Sequence, residues 1–260
     1  MDASVLATNA KDPPKYVVDP SLMPDIESLI IEDDEPVDNF HQDSQRRLLV
    51  NGVHSSWEGP GDDRPWICAS DVGVFTTAKA NPIVPDVLLS VDVVRGTDLS
   101  QKENLSYFVW ILGKVPDVVI EIVSNQEGEE DTRKFKTYQA MRVPYYAIFD
   151  PQLRLSKETL RVFRLSGASY VRNESGMMPE LNLGLRVWNG GFEHLEAEWL
   201  RWTDGKGKIL ACGNEKAIAA SNQVDVERKR AEEERQRAEA EKLRADRLAE
   251  KLRELGIDPG

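Results

Sequence analysis

Two carboxylates interrupt apolar runs in this chain. Glu121 lies within 117-DVVIEIV-123, and Asp86 follows a proline in 84-VPDVLLSVDV-93. Unpaired carboxylates in such places are costly, so each needs a cation, a donor or an edge position. Two strands that each offer one carboxylate to a shared spot form an oxygen-rich site suited to Mg²⁺ or Mn²⁺. Such an ion activates water and offsets charge at a phosphodiester.

Side chains alternate along a strand, so Asp117, Val119, Glu121 and Val123 share one face, and Val118, Ile120 and Ile122 share the other. Asp117 is read as a strand-start or turn residue, because four residues of strand separate it from Glu121 by roughly 13 Å. The following segment, 131-DTRKFKTYQAM-141, reads as a helix whose buried side carries Phe135, Tyr138 and Met141. Lys134 and Tyr138 are one turn apart on one face, and Lys136 points away. A lysine beside two carboxylates can orient a nucleophilic water or stabilise a phosphorane-like transition state. Asp131 and Thr132 occupy cap positions. Arg133, Lys136 and Arg142 are candidate phosphate contacts and equally well solvated charges. Ser124 reads as a turn residue, since no histidine nearby in sequence would serve as its base.

Flanking elements frame these residues. Strand VVIEIVS, helix 131–142 and strand 145-YYAIFD-150 form a βαβ-like unit. Short strands precede it at WICAS, VGVFTT and 84–93. TLRVFRL and SYVRN read as a hairpin after it. Residues 37–52 read as an amphipathic helix with Phe40, Leu48 and Leu49 on its apolar side and a glycine as its stop. The expected organisation is an acidic, loosely ordered leader at 1–36, a globular domain at 37–210, and a charged helix at 221–256. That helix has a seven-residue repeat with an incomplete apolar row, so a solvated helix and a coiled coil are both open.

The chain has 260 residues and a formal net charge of −12, which argues against nucleic-acid coating by bulk charge. From residue 224 onward the tail carries 10 basic and 11 acidic residues, so nearly all the net charge lies in the body. Two cysteines, Cys68 and Cys212, and 3 histidines offer no zinc-ligand spacing. Sparse cysteines, no signal-peptide pattern and no apolar run of membrane-spanning length lead to the expectation of a cytoplasmic protein.

Asp86 after a proline, then 120-IEIVS-124, then Lys134 with Tyr138, then VPYYAIFDP together resemble the Uma-two family of endonucleases, within the PD-(D/E)XK nuclease superfamily. The resemblance covers about residues 37–205 and also the tail ending in RLAEKLRELGIDP. Val123 stands where the family motif places its lysine. The chain therefore resembles the variant in which the helix supplies that lysine, here Lys134. The resemblance implies an α/β (α+β) restriction-endonuclease-like core, with a mixed central sheet flanked by helices, plus the long C-terminal helix. It implies Mg²⁺ or Mn²⁺ held by Asp86 and Glu121, assistance to the attacking water from Lys134, and DNA as substrate. A further polar residue on the first helix is also implied, with His41, Gln42 and Asp43 as candidates.

Three readings remain at this stage. The first is a metal-dependent DNA endonuclease. The second is a catalytically silent nuclease-like module whose C-terminal helix recruits a partner or a second copy of the chain. The third treats Asp86, Glu121 and Lys134 as a buried structural triad.

Overall fold

The computed structural model describes residues 40–123, 130 and 132–254. The expected leader at 1–36, Ser124 and Asp131 lie outside those residues. The described residues fall into two compact units, divided between Cys212 and Gly213.

In the body, helix α1 (Phe40–Ser56) is followed by β1 (Trp66–Ser70), β2 (Val74–Phe75) and β3 (Val87–Val91). Strand β4 (Tyr107–Phe108), the single turn α2 (Val109–Leu112), β5 (Val118–Ile122), α3 (Arg133–Met141) and β6 (Tyr145–Phe149) come next. The remainder is strand: β7 (Leu160–Ser166), β8 (Ser169–Arg172), β9 (Met177–Met178), β10 (Leu183–Phe192) and β11 (Leu195–Asp204).

A mixed six-stranded sheet runs in the order β1-β3-β5-β6-β7-β8. Within this sheet, among the described residues, only β5 and β6 pair in parallel, and α3 is carried on the connection between them. Parallel neighbours require such a crossover, whereas the β7–β8 hairpin closes through Gly167 at φ +60°. Strands β3, β5 and β6 are buried along their whole length. Their runs are therefore nearly continuously apolar, as expected of strands covered on both faces.

The two faces have different covers. Val118, Ile120 and Ile122 join Leu49 and Val53 of α1 and Leu185, Leu200 and Trp202 of the three-stranded β11-β10-β9 sheet. Val119, Val123, Tyr146 and Ile148 pack with Tyr138 of α3. Phe135 meets the Phe163 ring edge-on, with centroids 5.0 Å apart, which fixes the roll of α3 on the sheet.

Helix α1 departs from its expected form in two respects. Gly52 does not stop it; the buried stripe Leu48, Leu49 and Val53 passes the glycine, and the helix runs on to Ser56. Packing of that stripe outweighs the roughly 1 kcal/mol that a mid-helix glycine costs. Phe40, expected on the apolar side, is 92% exposed. The buried face instead includes Gln42, Gln45 and Arg46. Helix α3 starts at Arg133, and Thr132 occupies its N-cap without a side-chain cap bond.

In the second unit, α4 spans Gly213–Glu254, 42 residues, starting before the expected position 221. Its described side chains are almost all exposed, Ile218, Val224, Leu243 and Leu248 among them. Exposed ion pairs one turn apart, Arg230–Glu234 and Arg235–Glu239, lie along it. No described helix is long and apolar enough to cross a membrane.

Candidate active site

Strand register brings the acidic residues together. Val87 pairs with Ile120, and Glu121 pairs with Ile148, which pairs with Arg161. Continuing the β3–β5 register by one residue sets Asp86 opposite Glu121. Continuing β1–β3 by one residue sets Asp71 opposite Asp86, and the Asp71 N–H points at the Asp86 carbonyl at 3.4 Å. Asp71 and Asp86, just beyond the ends of β1 and β3, thus stand level with Glu121, Ile148 and Arg161. Ala69, Leu88, Val119, Tyr146 and Phe163 form the next row on the same face, about 7 Å along the strands.

Glu121 is fully buried. Its Oε2 accepts a hydrogen bond from Lys134 Nζ at 2.7 Å, and its Oε1 accepts one from the Tyr138 hydroxyl at 2.7 Å. The Lys134 side chain stays 24% exposed, so it reaches from the rim inward. One turn of α3 aims both donors at one carboxylate, the arrangement expected from their i,i+4 spacing.

Asp86 is held from two other directions. Its Oδ2 accepts the Ile122 N–H at 2.6 Å, and its Oδ1 accepts Arg46 Nη1 at 3.1 Å. The Arg46 guanidinium is almost buried, and its Nε meets Asp71 Oδ2 at 3.1 Å. Gln42, one turn earlier on α1, donates from Nε2 to the Ile122 carbonyl at 3.0 Å. Both backbone groups of Ile122, the residue after Glu121, are therefore gripped by side chains.

Burial dominates the electrostatics. It pushes the Glu121 carboxyl up to about 8, opposed by Lys134 and reinforced by the Asp86 charge. The Asp86 carboxyl is also raised by burial, against the Ile122 N–H, Lys134 and Arg46. Burial disfavours the Lys134 ammonium, but Glu121 and Asp86 outweigh it and the net shift is upward. Burial and the neighbouring Glu121 hold Tyr138 well above the usual phenol range, so it remains a donor.

The oxygen set suits a small hard cation. Each of the four carboxylate oxygens already accepts one donor and keeps a second acceptor site. One or two protein carboxylates, with waters completing the shell, is a common way to hold Mg²⁺. Among the described residues, no group of three or more His, Cys, Asp or Glu side chains converges on a point. Among those residues the candidate pair is Asp86 and Glu121.

The remaining sequence candidates lie elsewhere. Asp117 is a tie between strands: it accepts the Val91 N–H at 2.8 Å and Lys114 Nζ at 2.6 Å. Arg133 and Lys136 line an open groove of about 640 Å³ beside α3, and neither Asp86 nor Glu121 is among its walls. Arg142 ends α3 at φ +66° and donates to the Gly167 carbonyl at 3.1 Å. His41 stacks on Trp199 with ring centroids 4.8 Å apart. Asp43 is an exposed ion-pair partner of Arg47. Of the three candidates on the first helix, only Gln42 reaches the acidic strands.

Arg46 is the residue that sequence reasoning missed. Its signal was present: Gln42, Gln45, Arg46, Leu49 and Val53 recur at helical spacing, so polar residues share the stripe that enters the core. A buried guanidinium needs carboxylates to meet it, and two acidic strand ends supply them.

Comparison with known proteins agrees with this architecture. No curated protein matches the chain. The Uma2 family model, described as "Putative restriction endonuclease", matches residues 30–193, which span every strand of the six-stranded sheet. The family lies within the restriction-endonuclease-like superfamily, whose α/β fold this body has, and the chain belongs to the Uma2 family.

Proposed function

We propose that the protein is a metal-dependent endonuclease that hydrolyses phosphodiester bonds in DNA, with Asp86 and Glu121 holding Mg²⁺ or Mn²⁺. The observation that carries this reading is the register that sets the nearly buried Asp86 opposite the fully buried Glu121, with a lysine at 2.7 Å from Glu121. Purely structural buried carboxylates gain little from lying opposite one another, because their charges repel.

A divalent ion bound there would lower the pKa of a water ligand and offset charge on a phosphate. Lys134, partly exposed and hydrogen-bonded to Glu121, holds a proton at the mouth of the site. There it orients the attacking water or meets the developing negative charge. Arg46 and the Ile122 N–H fix the Asp86 rotamer, and Tyr138 fixes that of Glu121. Arg133, Lys136 and Arg142 are assigned to phosphate contacts outside the acidic row. Nicking of supercoiled plasmid in Mn²⁺ by wild type and by Glu121→Gln tests the reading. Equal nicking by the two proteins would overturn the site assignment.

A second reading rests on α4. Exposed Val224 and Leu248, which lie on the two rows of its seven-residue repeat, favour pairing with a second copy or a partner helix, as a coiled coil. On that reading the body is a silent binding module. Light scattering on the full chain and on a chain ending at Cys212 separates the two, since equal subunit numbers remove α4 as an assembly element.

A further inference from the structure

The β3–β4 connection runs for fifteen residues, 92–106, with one short 3-10 turn at Lys102–Asn104. Connections of that length inside a compact body are usually functional. This one closes a cavity of about 290 Å³ over the β1–β3 end of the sheet. Ala69, Leu88 and Tyr107 are among its walls, and Leu105 and Asn104 come from the connection.

Its position is set by the strand rows. Ala69 pairs with Leu88 in the row next to the acidic one, so this part of the cavity wall begins two residues from Asp71 and Asp86, on their face. A ligand in the cavity and a phosphate at Asp86 would be neighbours, about 7 Å apart along β3.

Its chemistry is divided in two. The strand side is apolar, and the loop side offers hydrogen-bonding groups. Asn104 donates from Nδ2 to the Asp98 carbonyl at 2.8 Å, and its Oδ1 accepts no bond among the described residues. The amide packs so closely on Gly96 that a Cβ there would meet Oδ1 at 2.1 Å. Arg95, an exposed residue of the connection, also lines the cavity. Leu105, 46% exposed, stands at the mouth as an apolar edge. The volume equals roughly ten waters, the scale of a single flat ring system.

We propose that this cavity receives a nucleobase unstacked from the DNA strand bound at Asp86 and Glu121. This inference rests on the nuclease reading above. Apolar walls would take the base faces, while Asn104 and Arg95 would meet its polar edge, the pattern by which extruded bases are held.

The test uses the full chain with the Glu121→Gln substitution, which keeps DNA intact, and duplexes carrying 2-aminopurine at successive positions. Emission should rise several-fold on binding at one or a few positions, because the probe brightens when it leaves the stack. Leu105→Trp, which plugs the mouth from a half-exposed position, should abolish the rise while anisotropy still reports DNA binding. Thr97→Trp, at another exposed lining position, repeats the test if the first variant is unstable. If the wild type binds and nicks DNA but no probe position brightens, the base pocket is wrong and the nuclease reading stands. If free nucleosides bind and Leu105→Trp blocks them without changing the emission from DNA, the ligand is a free nucleotide and the proposal falls. Failure of both DNA binding and nicking removes the nuclease reading, and this inference with it.

Discussion

Lys134 Nζ lies 2.7 Å from Glu121 Oε2, joining a strand and the helix that follows it across thirteen residues of chain. The pair sets one cation against a carboxyl that burial pushes upward, and Lys134 opposes that shift without cancelling it. Lys134→Met should lower stability by about 1–3 kcal/mol, the range for a partly exposed partner of a buried charge. It should cut nicking by roughly 10²–10⁴-fold. Urea unfolding and a plasmid assay read the two effects separately, and an unchanged nicking rate would remove Lys134 from the chemistry.

Metal-free stability should depend on pH through Glu121. Its folded value of about 8 exceeds the usual 4.5, so between those limits the folded chain keeps a proton that the unfolded chain releases. The contribution is fully present below the lower value and is lost as pH rises through the upper one. Asp86, also raised, acts in the same direction from a lower starting pH. Lys134 titrates above this window. The urea midpoint should therefore fall from about pH 5 to about pH 8, and the fall should shrink in Glu121→Gln. Mn²⁺ affinity should rise across the same interval, because the ion competes with that proton. A midpoint difference between the two proteins that is flat with pH would contradict the assignment.

Tyr138→Phe removes the donor to Glu121 Oε1, a loss of about 1–3 kcal/mol. Because that donor favours the charged carboxylate, its loss should also move the pH–activity profile to higher pH. A stability loss with an unmoved profile would reduce Tyr138 to a packing role.

Arg46→Leu should cost about 3–5 kcal/mol, leaving Asp86 and Asp71 without their shared guanidinium, and should weaken Mn²⁺ binding in calorimetry. Arg46→Lys should restore only part of both, because a single ammonium does not reproduce the planar fork that spans two carboxylates. Full rescue by lysine would show that charge alone matters there.

Much of this site was legible before the structure. Alternation in DVVIEIV placed Glu121 on the face of Val119 and Val123, and those residues do pack with Tyr138 on one side of the sheet. The i,i+4 spacing of Lys134 and Tyr138 put two donors on one helix face, and both reach Glu121. Arg46 was not legible as a partner of Asp86, forty residues away, because that contact depends on how α1 lies across the sheet. Gly52 misled for a related reason: local propensity marks a helix stop, whereas the helix is held by packing against the sheets. Nor did the sequence mark the β3–β4 connection as the wall of a cavity, since a polar run of that kind reads only as a loop.

Calorimetric titration of Mn²⁺ into wild type and Glu121→Gln, followed by plasmid nicking on the same samples, tests the central claim most directly. Wild type should bind the ion and nick, and the variant should do neither while keeping its fold by circular dichroism. If wild type binds no Mn²⁺, or the variant binds as tightly, Asp86 and Glu121 are a buried structural pair balanced by Arg46 and Lys134 rather than a metal centre.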